Sequence, residues 1–336
     1  MNYFLILPLA ISIIVVLSLM NWWIRKVKSI GLVWENMNKI NGEKVSGSGG
    51  LIVLLAFLLS VLCYVAYRVF ILESENGSLL EIFVILIMVT FMGFVGFIDD
   101  LFGWRKGGLS ARSRILLAIF GAIPLVAIEA GDSTIGLPFF GSMDLGLLYP
   151  LIFIPLGVVA TTTTFNMLAG FNGLEAGQGI ILLSGLAFVS YMTGSPWLAV
   201  VCLCMVLALI GFFVYNKFPA SVLPGDVMTY SVGAIIAAVA ILGNFERIAM
   251  FFYIPYILEV ILKSRGKLKK NSFGKPMKDG TLDNQYDKWY SLNHVSISTL
   301  KKIGIKSTEK NAVRLILSFQ VFVILLGIFL SRNILF

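Results

Sequence analysis

The chain is short of charge, of histidine and of cysteine, and each shortage excludes something. Only 13% of its 336 residues are charged, 58% are hydrophobic, and the mean hydropathy is +0.91. That balance excludes a water-soluble domain and points to an integral membrane protein. The apolar runs are too long for barrel strands, so the fold class expected is all-α and polytopic. One histidine, His294, excludes a multi-histidine zinc or haem site. Cys63, Cys202 and Cys204 all fall inside apolar runs; they read as small buried hydrophobes, with no disulfide framework and no metal spacing. The first apolar run is followed, not preceded, by basic residues, so it reads as a retained span rather than a cleaved leader. No internal repeat is evident, which weakens a transporter built from duplicated halves.

What is present is a series of about ten apolar stretches near the length a bilayer requires. They run over 3–23, 50–71, 79–98, 115–130, 147–164, 176–192, 195–215, 227–242, 248–262 and 312–330. The connections alternate in charge. Arg25, Lys26, Lys28, Lys39 and Lys44 follow the first span, Arg105, Lys106, Arg112 and Arg114 the third, and Lys217 the seventh. Most of the remaining lysines lie between Lys263 and Lys310, after the ninth. The intervening connections carry almost no basic residues. The positive-inside rule therefore puts the odd-numbered loops in the cytoplasm and both termini outside. The segment Lys263–Lys310 is too short for a second domain with a large core, so residues 1–336 are expected to form one membrane domain. The net charge of +8 collects on the cytoplasmic face, where it serves topology, anionic lipid or a polyanionic soluble substrate.

Polar groups gather at the cytoplasmic ends of the spans. Asp99 and Asp100 close an apolar stretch and run into Arg105, Lys106, Arg112 and Arg114. Two carboxylates at a helix C-terminus face the negative end of its dipole, which calls for a divalent metal or a nearby ammonium unless the helix simply ends in solvated charges. After the fifth span, Asn166 and Asn172 flank a glycine-rich turn that continues through Glu175 and Gln178. Helix capping would account for Asn172 and Glu175 but not for Asn166. Asp226 follows Pro224–Gly225, where an ordinary N-cap is the simpler reading for an isolated Asp. Taken together, Asp99, Asp100, Asn166 and Asp226 fall at one depth on one face. Hard oxygen donors of this kind suit Mg²⁺, or Mn²⁺, with waters and phosphate oxygens completing the shell. Glu259 stands apart inside the ninth span, where it either lines a cavity or pairs with Lys263 at i, i+4.

The motifs GFIDD, NMLAGFNGLEAGQ and FPASVLPGD, in this order over nearly the whole chain, resemble the polyprenyl-phosphate N-acetylhexosamine-1-phosphate transferases. NGLEAGQ is most similar to the archaeal and eukaryotic dolichyl-phosphate N-acetylglucosamine-phosphotransferase branch, while GGLSAR is also similar to the bacterial phospho-MurNAc-pentapeptide branch. The resemblance implies a cytoplasmic-face active site that joins GlcNAc-1-phosphate from UDP-GlcNAc to a polyprenyl or dolichyl-type phosphate, releasing UMP. UDP-MurNAc-pentapeptide is the alternative donor, and a secondary transporter is the rival from another class. By the same resemblance Asn166 and Asp226 are magnesium ligands, and Asp99 and Asp100 are the aspartate pair of the lipid-phosphate and metal region. Asn172 contacts uracil and Leu223 packs the base. Lys106 falls near a phosphate-contacting lysine, with Arg105 or Arg112 able to serve instead because the loop length differs. His294, in SLNHVSI, stands where the family carries a His- or Arg-rich sugar-facing motif, but its neighbours do not match. The partners implied are UDP-GlcNAc, the lipid phosphate and membrane lipids, with no nucleic acid and with room for a homodimer.

Overall fold

The computed structural model describes residues 5–40, 42–72, 78–137 and 141–332, without the side chains of 105, 106, 135–137, 141 and 142. Its helices are α1 (Ile6–Ser29), α2 (Gly50–Phe70), α3 (Ser78–Lys106), α4 (Ala111–Ala127), α5 (Ile154–Phe165) and α6 (Leu174–Met192). They continue as α7 (Pro196–Asn216), α8 (Gly225–Leu242), α9 (Glu246–Phe252), α10 (Ile254–Arg265), α11 (Leu292–Lys302) and α12 (Glu309–Leu330). A π-helical turn, Tyr149–Phe153, leads into α5. The only strands among the described residues form three antiparallel hairpins: β1 (Val33–Glu35) with β2 (Lys44–Ser46), β3 (Thr134–Leu137) with β4 (Gly141–Asp144), and β5 (Lys275–Pro276) with β6 (Leu282–Asp283).

Every predicted span coincides with helix, but not all are alike. Seven helices (α1, α2, α3, α6, α7, α8 and α12) are long and apolar enough to cross a membrane. The other three positions hold shorter pieces. α4 has 17 residues with Pro124 inside it, and the π-helical turn and α5 together cover Tyr149–Phe165. α9 and α10 are separated at Tyr253, with Pro255 in the first turn of α10. Proline removes a backbone donor and crowds the preceding turn, so these are the positions where a continuous rod is hardest to build.

α8 is the axis of the bundle. All of Val227–Ile241 is buried, and the helix packs against α2, α3, α5, α6, α7 and α9. Such crowding requires small residues at the crossings. A Cβ on Gly96 of α3 would lie 2.4 Å from the Asp226 carbonyl oxygen, and one on Gly233 would lie 2.6 Å from Thr162 Cα of α5. The outer helices are different: Leu7, Ile14, Leu62, Phe94, Ile123, Phe322 and Leu325 are exposed, as lipid-facing side chains are.

Chain direction alternates, so the helix ends that carry the acids and amides meet at one end of the bundle. There Gly49 N–H donates to Leu223 O (2.9 Å), Leu223 N–H donates to Ser46 O (2.8 Å), and Asn38 Nδ2 donates to Gly170 O (2.6 Å). The segment after α10 packs onto this end rather than standing apart. Leu282, Leu292, Ile297 and Leu300 are buried in the common core. Glu259 anchors the segment. One carboxylate oxygen accepts from Leu292 N–H (2.7 Å) and Ser291 Oγ (3.1 Å), and the other lies 3.8 Å from Lys263 Nζ. Of the two readings of Glu259, the structure bears out the pairing with Lys263 and adds the docking of α11.

Candidate active site

Two adjacent residues on a helix point about 100° apart, and α3 uses that angle to send its two aspartates to different partners. Asp99 faces the start of α4. Its Oδ1 accepts from Leu109 N–H (2.6 Å) and Arg114 Nη2 (3.1 Å), and its Oδ2 lies 2.6 Å from Arg114 Nε. Asp100 faces the start of α8 and the turn after β2. Its Oδ2 accepts from Ser48 Oγ (2.9 Å) and its Oδ1 from Asp226 N–H (2.7 Å). Both are buried, at 2% and 7% exposure. The expected reason for a counter-charge, the dipole of a helix ending at the aspartates, does not hold. α3 does not end at Asp100 but runs on to Lys106, so the dipole of its C-terminus is not what the aspartates face. What they lack is charge balance. Asp226 Oδ2 lies 4.0 Å from Arg114 Nη2, so Asp99 and Asp226 share one guanidinium and Asp100 has no ion pair among the described residues.

Asp226 sits in the first turn of α8, after Pro224, which takes the N-cap position without a side-chain cap; the simpler N-cap reading of Asp226 does not hold. Gly225 makes the approach possible. Its φ is +73°, and a Cβ there would lie 2.2 Å from Asp100 Oδ2. A cavity of about 400 Å³ opens beside this junction. Asp100, Asn166, Asn172, Leu223 and Asp226 all line it, so five of the residues singled out in the sequence share one space. Asn172 is not a cap either; that position belongs to Gly173, at φ +84°. Its backbone N–H donates to Glu309 Oε1 (2.7 Å), and its side-chain Nδ2 is buried with no hydrogen-bond partner among the described residues. Asn216 gives Nδ2 to Val222 O (2.9 Å) and leaves Oδ1 buried and unpaired in the same cavity. Buried unpaired donors and acceptors are costly, and a ligand that pairs them recovers the loss.

The remaining candidates lie elsewhere. The side chain of Lys106, like that of Arg105, is outside the described residues. Arg112 is exposed at the start of α4 and has no ion pair among the described residues. His294 is fully buried on α11 and does not line the cavity. Tyr290 N–H donates to its Nδ1 (3.2 Å), so Nε2 is left to donate to Phe273 O (3.2 Å). Burial pushes this imidazole below its ordinary pKa. Its neighbour Asn293 donates to Ala169 O (3.0 Å) and Ser272 O (3.2 Å), so α11 ties together the stretches that hold the cavity wall residues Ala169 and Phe273.

Three contributors were not singled out from the sequence. Arg114 was one of four basic residues in a run, and only helix geometry separates it from Arg112. Ser48 lies in a GSGG tract that reads as a turn. Residues Trp34–Met37, from the first hairpin, line the cavity although its strands are too short to alternate visibly.

A divalent cation of the Mg²⁺ type needs hard oxygen donors around one point. No three His, Cys, Asp or Glu side chains converge on a point among the described residues. The carboxylate of Asp226 and the amide oxygen of Asn166 line one cavity beside an excess of negative charge, which fits an ion held by one or two protein oxygens and completed by phosphates and water.

Residues 82–244 match the model of glycosyl transferase family 4. A Saccharolobus solfataricus protein assigned as a UDP-N-acetylglucosamine–dolichyl-phosphate N-acetylglucosaminephosphotransferase is 34% identical over 87% of this chain and 87% of its own length. The Dictyostelium discoideum enzyme of that name is 27% identical, over 66% of this chain and 61% of its own length. A phospho-N-acetylmuramoyl-pentapeptide-transferase of Enterococcus hirae is 30% identical over 55% of this chain and 59% of its own length.

Proposed function

From the premise that this chain belongs to glycosyl transferase family 4, we propose that it transfers GlcNAc-1-phosphate from UDP-GlcNAc to a polyprenyl phosphate of the dolichyl type. An oxygen of the lipid phosphate attacks the β-phosphorus of the sugar nucleotide. The bond from that phosphorus to the bridging oxygen breaks, and UMP leaves with the electron pair. The products are polyprenyl-diphosphate-GlcNAc and UMP.

The observation that carries this reading is the cavity itself. It sets an excess of carboxylates beside an unpaired amide donor, Asn172 Nδ2, and an unpaired amide acceptor, Asn216 Oδ1. A uracil edge offers the complementary acceptor and donor. A bound Mg²⁺, or Mn²⁺, held by Asp226 and Asn166 would offset repulsion between the two phosphate-bearing substrates. Arg114 supplies fixed positive charge between Asp99 and Asp226. Asp99 and Asp100 are committed to structural donors, which favours positioning and electrostatics over a general-base role, and a lipid phosphate is already largely ionised near neutrality. Leu223 gives the base an apolar contact. His294 is spoken for on both ring nitrogens, so sugar recognition does not run through it directly.

UDP-MurNAc-pentapeptide is the less favoured donor, since a relative that aligns over 87% of both chains carries the dolichyl-phosphate name. A transporter is disfavoured because the acids collect at one end of the bundle instead of at midplane. Charge alternation supports a cytoplasmic position for that end. Purified protein given UDP-GlcNAc, a polyprenyl phosphate and Mg²⁺ should release UMP. Chelation should stop the reaction reversibly, and Asp226→Ala should abolish it while the protein stays folded in detergent. Full turnover in chelator would sink the metal assignment; faster turnover with UDP-MurNAc-pentapeptide would sink the choice of donor.

A further inference from the structure

A second cavity, of about 480 Å³, lies on the other side of the catalytic wall. It is lined by three lysines from segments far apart in the chain: Lys39 in the turn of the first hairpin, Lys278 between β5 and β6, and Lys310 in the first turn of α12. Lys39 is bridged to Glu43 and lies 6.0 Å from the centre of the Phe218 ring. Lys278 and Lys310 have no ion pair and no hydrogen bond among the described residues. The other carboxylate lining the cavity, Glu309, makes no ion pair with either among the described residues, so the lining keeps one positive charge more than negative. It is buried and already accepts from Asn172 N–H (2.7 Å) and Asn38 Nδ2 (3.4 Å). Ammonium groups are mobile, strongly hydrated point charges, and three around one space suit an anion that presents several oxygens.

The wall between the two cavities is thin and directly bonded. Asn38 and Glu309 line the second cavity. Through the wall, Asn38 holds Gly170 O (2.6 Å) and accepts from Gly274 N–H (3.2 Å), while Glu309 holds Asn172 N–H; Gly170 and Asn172 line the first cavity. We infer that the Lys39–Lys278–Lys310 cavity is a binding site for a phosphate-type anion, separate from the catalytic cavity and coupled to it through Asn38 and Glu309. Occupancy ties the hairpin, the β5–β6 turn and α12 together, which orders the wall that carries Gly170 and Asn172. The same chemistry is offered by the head group of an anionic phospholipid and by a soluble phosphate.

Thermal unfolding of the full chain in nanodiscs tests the site without reference to catalysis. In zwitterionic nanodiscs, inorganic phosphate should raise the unfolding midpoint of the wild type. The shift should vanish in Lys278→Ala/Lys310→Ala and persist in Lys278→Arg/Lys310→Arg. Nanodiscs containing phosphatidylglycerol identify the source. A wild-type midpoint raised without added phosphate assigns the head group, and an unraised one assigns the soluble anion. An equal phosphate shift in wild type and the alanine variant, or no shift in either disc, would overturn the site. The coupling rests on the transferase reading and is read separately. Occupancy should lower the KM for UDP-GlcNAc by at least about fivefold, the low end of ordinary inter-site coupling. An unchanged KM alongside a lysine-dependent thermal shift would overturn the coupling and leave the site. A chain with no turnover on UDP-GlcNAc would overturn the transferase reading and leave the thermal result intact.

Discussion

At the scale of single residues, the site is organised by what Arg114 can reach. Its guanidinium spans Asp99 and Asp226, which sit on different helices. Arg114→Ala leaves Asp99 buried without its counter-charge, so turnover should fall by about a hundredfold or more, as when a preorganised electrostatic group is removed. Arg114→Lys should recover only part, since an ammonium restores the charge but not the fork. Steady-state UMP release on both variants checks this, and equal loss in both would show that geometry alone matters. His294 makes a different prediction. The fold favours its neutral ring, so the unfolded chain takes up the proton first as pH falls below the ordinary histidine value of 6.5. Its contribution to stability is therefore present above that value and is lost on acidification, at no more than about 1.4 kcal/mol per pH unit for one proton. Thermal midpoints measured from pH 7.5 to 5.5 should fall for the wild type more steeply than for His294→Gln. Asp100, Asn166 and Asp226, which line one cavity, stand out in the sequence as polar groups at span ends, whereas Asn172 stands out there only through the resemblance. Arg114 and Ser48 do not stand out, because their roles depend on which way a side chain points after a turn.

At the scale of elements, the site depends on how closely α3 approaches α8. Gly96 sets that distance. Its missing Cβ would sit 2.4 Å from the Asp226 carbonyl oxygen, and backbone cannot yield as a flexible side chain can. Gly96→Ala should cost about 1–3 kcal/mol of stability and lower turnover by displacing Asp226 from Asp100 and Arg114. Gly157 on α5 is the control: nothing lies within 4 Å of its would-be Cβ. Gly157→Ala should be tolerated, with activity and thermal midpoint near wild type. Comparable losses in the two variants would mean that the α3–α8 contact has no special place. The helices themselves were readable from apolar run length. Their interruptions were less so: the division at Tyr253 and the π-helical entry to α5 arise where proline and packing override a smooth apolar pattern. The first hairpin, with three residues per strand, carries no periodicity to read.

At the scale of the whole molecule, charge alternation and chain direction agree. The basic loops and the convergent acids lie at the same end of the bundle, and the β3–β4 hairpin lies at the other, where Asp132 N–H donates to Asn244 Oδ1 (2.7 Å). Topology can therefore be tested with single cysteines in a background lacking Cys63, Cys202 and Cys204. In intact cells an impermeant thiol reagent should label a cysteine replacing Thr134 and spare one replacing Lys288. The reverse pattern would place the active site on the side away from cytoplasmic nucleotide sugars.

The partners of the two α3 aspartates also differ in how far along the chain they lie, and this bears on how the protein is made. Asp99 finds Arg114 at a separation of 15 residues, whereas Asp100 finds Ser48 at 52 and the Asp226 amide at 126. A ribosome delivers α3 and α4 almost together, so Asp99 can meet its counter-ion within one nascent helical hairpin. Asp100 has only Ser48 until α8 emerges much later. During that interval the Asp100 carboxylate has one of its two donors, the Ser48 hydroxyl, and lacks the backbone N–H of Asp226. Insertion of α8 is then the event that closes the site, and the half-made protein before it is the form most in need of protection in the membrane.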